Sequence, residues 1–487
     1  MESNLIHTIE FKSPIVTDVT FLFEKFLDAE QHLFDRHIDD FRYWHFIRFS
    51  FLNEIFAAKK WITRETRLQQ ASLFDKFTMA LELIKNSLLY SIARDDGAAD
   101  LLILNSPNKI QVDRRYMEPY TDTWLSDISY SFTLWEAPLM WRHKKHGLNP
   151  KLFYLDSLHL KSLINRALSK KFQQSIHRET TYLVEFAKQF NVALSESKIS
   201  QLINNVVSLS VCCSNTIESQ LKKKQVKLII LVNHYDPLKM LITSIAKSLG
   251  IYVVELQHGN MGRYHIAYNF NRTEALDALP NEIFTFGKFW NDTSRIAQTG
   301  VKLTIVGMPF FEEKTKQTAE SKKDEKIRIL ILSQDTVSQR LAEIAVKLSN
   351  ELDAKKYEII YKLHPREYDS WKIRYPKKFI SSNIKVYSEV DLYTLFQQSD
   401  IHIGIYSTTI MESLAFNKKL ILIESYGVHL YTDLIKKGRA ILASNVNDIL
   451  SAIQSVRKSN LASEDIAYYW QKKSKEKILQ RIDEILA

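Results

Sequence analysis

Residues 227–262 read KLIILVNHYDPLKMLITSIAKSLGIYVVELQHGNMG, and this stretch decides the fold. An apolar run of strand length, Lys-Leu-Ile-Ile-Leu-Val (227–232), stops at the turn formers Asn233-His234-Tyr235-Asp236-Pro237. Leu238 to Leu249 then carries apolar residues at helical steps and closes on Gly250, as helices commonly do. A second apolar run, 251–256, follows and ends in Gln257-His258-Gly259-Asn260-Met261-Gly262. Strand, helix and strand in this order make a βαβ unit, hence a parallel sheet. In such sheets ligands sit beyond the carboxyl ends of the strands, where two of the scarce glycines bracket the 257–262 loop.

Downstream, strands are expected at 282–286 and 304–307, the latter running into Met308-Pro309. Residues 312–326 are almost wholly polar and charged, the profile of a solvated linker. Beyond them strand and helix signals alternate: strands at 327–332, 358–363, 384–387, 401–405 and 420–423, helices at 337–350, 391–398 and 410–417. Upstream, Asp100-Leu-Leu-Ile-Leu-Asn105 starts an α/β region, and 15–95 reads as helical. Phe41, Trp44, Ile47, Phe51 and Ile55 form an apolar stripe there, with Arg42, His45 and Arg48 on the other side. Such a stripe is more often core than membrane surface, so the membrane reading of this helix stands second. The expected organisation is a helical extension (1–95), a Rossmann-like domain (96–311), a linker (312–326), a second Rossmann-like domain (327–460), and a C-terminal helix (461–487) that packs back on the first domain.

The chain has 487 residues, enough for two large cores, and 45% hydrophobic with 25% charged residues is the composition of an ordered globular protein. Its two cysteines, Cys212 and Cys213, are adjacent in an apolar stretch, which suits neither a disulfide framework nor a zinc site and points to a reducing, cytoplasmic compartment. No secretory leader and no membrane-spanning run is expected. The formal net charge of +10 fits an anionic lipid surface or a phosphorylated ligand better than nucleic acid, because the basic residues are scattered and form no nucleic-acid module.

Two strand ends in the second domain carry anion chemistry. In Tyr361-Lys362-Leu363-His364-Pro365-Arg366-Glu367, the proline holds His364 extended at the carboxyl end of its strand. Beside Lys362 and Arg366 it suits a phosphate or pyrophosphate leaving group, although a plain strand-ending turn has the same letters. In Gly404-Ile-Tyr-Ser407-Thr408-Thr409-Ile-Met-Glu412, Thr409 and Glu412 have capping-box spacing. Three successive hydroxyls before a helix also make a phosphate cradle, and Glu412 could accept from ribose hydroxyls. Two such ends in one sheet read as a nucleotide site. In the first domain His258 is the first candidate for a general base, with Asp236 and His234 as alternates and Gln257, Gly259 and Asn260 as its loop. A histidine that merely fills its loop remains the competing reading. No metal-ligand spacing and no Asp-x-Asp strand end occurs, so neither metal nor other cofactor is expected.

Gln257-His258-Gly259, His364-Pro365 and Ser407-Thr408-Thr409, each at a strand end, resemble the pattern of bacterial capsule and lipopolysaccharide glycosyltransferases of the GT-B class. The set is also similar to CDP-glycerol glycerophosphotransferases of teichoic acid synthesis and to bacterial sialyl- and polysialyltransferases. The resemblance covers about residues 227–425. It implies an α/β GT-B fold, two Rossmann-like doubly wound domains facing a cleft, with donor phosphates held by His364, Pro365, Ser407 and Thr408 and a base at His258. The glycerophosphotransferases continue their His-Gly with Thr-Pro and a Lys, where this chain has Asn260-Met261-Gly262-Arg263, which favours sugar transfer. Asp95-Asp96-Gly97 matches the letters of the sialyltransferase acidic pair but precedes its strand.

The expected activity is therefore an inverting, metal-independent transfer of sugar from a nucleotide-sugar donor to a surface glycan or lipid-linked acceptor, at the inner face of the cytoplasmic membrane. A CDP-glycerol-type phosphotransferase, a sugar-nucleotide epimerase and a non-catalytic nucleotide-binding scaffold of a capsule assembly complex are the alternatives.

Overall fold

The computed structural model describes residues 14–62, 72–112, 115–139, 142–144, 152–164, 171–316, 326–334, 337–368, 370–455 and 463–487. The described chain forms two compact units. The first comprises Phe26–Met261, His265–Phe310 and Gln471–Ala487; the second comprises Gly262–Tyr264 and Phe311–Trp470, with the described N-terminal residues to Lys25.

The first unit contains β1 (Leu101–Asn105), the antiparallel hairpin β2 (Ile110–Val112) and β3 (Arg115–Met117), β4 (Phe132–Glu136), β5 (Leu152–Tyr154), β6 (Leu228–Val232), β7 (Tyr252–Leu256), β8 (Glu282–Thr285) and β9 (Lys302–Ile305). Without the hairpin they form one seven-stranded parallel sheet in the order β5-β4-β1-β6-β7-β8-β9. Counted along the chain this is the 3-2-1-4-5-6 order of a Rossmann sheet with one strand added. β1 and β6, side by side, are buried along their whole length, which is why both read as unbroken apolar runs. Between them the strand order reverses.

The second unit repeats the plan with β10 (Ile327–Leu332), β11 (Tyr357–Lys362), β12 (Lys385–Tyr387), β13 (Ile401–Gly404), β14 (Lys419–Ile423) and β15 (Ile441–Ala443). The order β12-β11-β10-β13-β14-β15 is all parallel and again 3-2-1-4-5-6, reversing between β10 and β13. Helix Ser338–Glu351 covers one face with Leu341, Ala345 and Leu348, which join Ile329, Ile331 and Ile403 in the core.

Several expectations change. Residues 312–316 are the end of helix Pro309–Lys316 and not linker, and 317–325 lie outside the described residues. The tail is two helices, Ser463–Tyr469 and Ser474–Leu486; Ile478 and Ile482 of the second pack into the first sheet's core, and Arg481 grips Glu282 through Nη2 at 2.9 Å. Helix Trp44–Ala58 buries its aromatic stripe, and Arg48, placed on the outer side by periodicity, is 2% exposed. That removes this helix as a membrane surface. Asp95 sits ahead of β1, ion-paired with Lys224 and accepting from Thr133 Oγ1 (2.8 Å) and Trp135 Nε1 (2.9 Å). It is a structural anchor at the amino end of the sheet, opposite the carboxyl ends of the strands.

Candidate functional site

In the second unit the strand ends flanking the reversal are those of β10 and β13, with β11 next to β10. At the end of β13, Gly404 lets Ile410 pack close to the backbone, since a Cβ there would meet Ile410 Cδ1 at 2.4 Å and the side chain would have to shift. The chain then turns through Tyr406, Ser407 and Thr408 into Thr409–Ser413, a five-residue helix continued by the 3-10 turn Leu414–Phe416. Gly427, at φ +93, lets the following loop lie on the Tyr406 ring, which a Cβ would strike at 2.2 Å. Tyr431 donates to the Ser407 carbonyl at 2.8 Å and fixes the turn from behind.

The expected capping box does not form. Thr408 is the N-cap with no side-chain cap bond, while Thr409 donates its hydroxyl to Ser407 Oγ at 2.9 Å. Glu412 is partly buried, which pushes its carboxyl up to about 7, and it accepts from Tyr393. Its carboxyl is thus engaged with the buried Tyr393. What remains is more informative. Among the described residues the N–H and O–H groups of both Ser407 and Thr408 have no acceptor, and both residues are partly exposed. Unspent donors clustered at a strand's carboxyl end suit an anion's oxygens.

At the end of β11, the buried Glu367 carboxylate accepts from His364 N–H (2.8 Å) and from Tyr375 O–H (2.8 Å). Tyr375 meets Ser333, just past β10, at 3.1 Å. The His364-Pro365 turn is therefore braced from inside, with Pro365 exposed and His364 half-buried. Glu367 was quoted in the motif without a role; a carboxylate three residues after a strand-end histidine is the signal that could have found it. Lys362 departs from expectation. Its ammonium donates to the Leu363 and Ser388 carbonyls and to Tyr368 O–H (2.9 Å), and burial brings it down to about 8. Three donors spent on the protein leave it bracing β11. The Arg366 side chain lies outside the described residues.

In the first unit the reversal lies between β1 and β6, and a buried ammonium fills it. Lys239, in the first turn of helix Pro237–Ser248, donates to the carbonyls of Leu104, Asn105 and Val232, the ends of both strands. Asp236 caps that helix, accepting from Leu238 N–H and Lys239 N–H at 3.1 Å each. Its position is set by capping, and it borders a cavity of about 240 Å³ shared with His159, Ser162 and Asn205 rather than with His258 or His234.

His234 and His258, from adjacent strand ends, are brought together by Glu255 of β7. Its buried carboxylate takes His234 Nδ1 at 2.6 Å and Tyr268 O–H at 2.8 Å, and lies 3.7 Å from His258 Nδ1. Burial pushes Glu255 up, but the His234 charge and hydrogen bond, then His258 and Tyr268, hold it below the ordinary range. Glu255 escaped the sequence reading, although one acid inside an otherwise apolar central strand is a detectable signal. His258 keeps an accessible edge, meets Tyr235 O–H through Nε2 at 3.2 Å, and its carbonyl accepts from Tyr120 at 2.7 Å. Gln257 is a loop brace: its amide donates to Gly259 O (2.8 Å) and accepts from Phe286 N–H (2.7 Å). Gly259 and Asn260 stay partly exposed.

Burial, outweighing Glu255, lowers His258 to about 4. The ring is neutral at pH 7 and free of the titration near 6.5 that an unperturbed imidazole shows. If His258 is the base, the acid limb of kcat/KM falls near pH 4, with a flat profile between about pH 5.5 and 8. A pH–rate series showing loss centred near 6.5 would assign the base elsewhere.

Further along the same sheet end, His143 lies between Glu136 (2.8 Å) and Asp156 (2.7 Å), stacked 3.5 Å from the Tyr154 ring. Burial opposes its charge, yet the hydrogen bonds to the two carboxylates raise its pKa. Lys109 pairs with Glu136 at 2.7 Å and completes a buried group of alternating charge. No motif in the sequence announced it, because its members fall between Lys109 and Asp156 with no recognisable spacing.

Two Rossmann-like sheets with polar strand ends at each reversal place the chain in the class of double-Rossmann proteins. No protein-family model and no curated protein matches it. Among solved structures it is similar to MnaA from S. aureus in a co-structure with UDP, at 12% identity and a TM-score of 0.48, covering 79% of this chain and 96% of that one. It is similar to UDP-GlcNAc 2-epimerase from Methanocaldococcus jannaschii (12%, TM-score 0.42, 79% and 99%) and to the spinosyn rhamnosyltransferase SpnG complexed with spinosyn aglycone (11%, 0.43, 79% and 96%). At these TM-scores none of the likenesses speaks to activity.

Proposed function

We propose that the chain is a glycosyltransferase whose second unit binds a nucleotide-sugar donor and whose acceptor is a growing glycan of capsule or lipopolysaccharide type. The observation that carries this reading is the set of unspent amide and hydroxyl donors on Ser407 and Thr408, at a reversal whose other flank leads to the braced His364-Pro365 turn. Nucleotides bind at such reversals in doubly wound sheets, and donors fixed before the reaction stabilise phosphate charge as it develops. In the proposed step the acceptor oxygen bonds to the anomeric carbon, the bond from that carbon to the phosphate oxygen breaks, and His258 takes the acceptor's proton. Direct displacement inverts the anomeric centre. The resemblance of the strand-end motifs to capsule and lipopolysaccharide transferases supports the acceptor class.

Thermal-shift titration with UDP-, CMP-, CDP-, GDP- and TDP-linked sugars tests the donor site. One donor family is expected to raise Tm; saturation at a hundred times Kd corresponds to about 2.7 kcal/mol of added stability. Ser407→Ala is expected to lose most of that shift, and EDTA to leave it unchanged. Binding undiminished by Ser407→Ala would remove this site. Conversion of the nucleotide sugar to an epimer without any acceptor would make the chain an epimerase instead.

A further inference from the structure

Helix Leu73–Leu89 is well formed and docked, yet among the described residues one of its faces has no partner. Ser72 and Asp75 close a capping box at its start. Met79 and Leu83 are buried on its inner side, where the helix packs along Asp156–Ile164. On the outer side Phe74, Phe77, Leu81, Ile84 and Leu88 are 74%, 62%, 50%, 44% and 63% exposed. These five positions are separated by three or four residues each, so they form one continuous stripe. Scattered exposed apolar residues need no explanation, but a contiguous aromatic and leucine face of this kind marks an interaction surface.

Charge selects the occupant. Between residues 59 and 85 the sequence places Lys59, Lys60, Arg64, Arg67, Lys76 and Lys85 against Glu65, Asp75 and Glu82, and the whole chain carries +10. On the helix itself the acids are spent: Asp75 accepts from Ser72, and Glu82 pairs with Arg142 at 3.3 Å. Lys76 and Lys85 are exposed and form no ion pair among the described residues. A stripe of Phe and Leu bordered by unopposed ammonium groups matches a bilayer interface, where rings and leucines enter the acyl boundary and lysines meet anionic headgroups. No helix among the described residues is long and apolar enough to cross a membrane, so the contact is one of lying on the surface. We propose that Leu73–Leu89 seats this protein on an anionic lipid bilayer.

The test is flotation of the full chain with vesicles of phosphatidylcholine alone and with about 30 mol% phosphatidylglycerol. The wild-type chain is expected to float with the anionic vesicles at least about tenfold more than with the neutral ones. Phe77→Ser with Leu88→Ser is expected to reduce that binding about tenfold or more, and Lys76→Glu with Lys85→Glu to reduce it similarly, in each case with unchanged Tm because all four side chains are exposed. Equal flotation with both vesicle types overturns the proposal, as does retention of binding by the apolar double variant. Sedimentation velocity separates the remaining occupant: a dimer dispersed by Phe77→Ser/Leu88→Ser, with no flotation by the wild type, would make the stripe a contact between two copies.

Discussion

His364→Ala is expected to lower kcat/KM by about 10²- to 10³-fold, the usual effect of removing one fixed donor to a developing anion. The same change should cost only about 1 kcal/mol of stability, because the backbone of the turn keeps its supports. The separation of the two effects follows from the turn's construction. Its backbone is held by Pro365, by the His364 N–H bond to Glu367 and by the link from Glu367 through Tyr375 to Ser333, none of which uses the half-buried imidazole. Glu367→Ala should behave differently, because it strips the partners from the His364 N–H and from a buried tyrosine, so both Tm and turnover should fall. Steady-state kinetics and a thermal melt of each variant suffice. Full turnover by His364→Ala in a folded protein would sink the donor-site assignment.

Arg48→Ala is expected to destabilise the first unit by about 3–5 kcal/mol, the range for removing one member of a buried ion pair. Arg48 and Glu30 are 2% and 0% exposed. The guanidinium bonds Glu30 through Nε at 2.7 Å and also donates to the carbonyls of Ile266 and Asn269, while lying 4.3 Å from the Phe270 ring centroid. Burial raises Glu30 against the pull of Arg48, so without the arginine its carboxyl would take up a proton or unfold its surroundings. Denaturant melts of Arg48→Ala, Glu30→Gln and the double variant check this; the double variant should lose less than the sum of the singles. Additive losses would show that the pair is not coupled. The functional connection is local. Ile266 and Asn269 follow the loop that begins at Gln257-His258, so the N-terminal helices hold that loop's far end.

The site was legible in part. The strand-end positions of His258, His364 and Ser407 could be read because an apolar run halted by turn formers marks a carboxyl end whatever the tertiary context. The roles of their neighbours could not. Lys362 looked like a phosphate ligand and braces the sheet; Asp236 looked like a spare base and caps a helix; Gln257 ties two loop ends together. A polar letter beside a motif does not say where its donors are spent, since that depends on groups from distant segments. The partners that orient the site, Glu255 and Glu367, lay in view within quoted stretches and lacked only the contacts that give them meaning.

The sequence by itself determined that two parallel sheets form, and the ends of their central strands, because local periodicity and turn residues suffice for both; β4, β5 and β15 became visible only in the folded chain. It did not reveal which amphipathic helix faces outward. Helix Trp44–Ala58, with the more conspicuous aromatic stripe, is buried among other helices, and Leu73–Leu89 presents its stripe to solvent. Periodicity identifies an apolar face, but only packing decides whether protein covers it, and the same holds for every donor and acceptor that the folded chain either satisfies or leaves for a ligand.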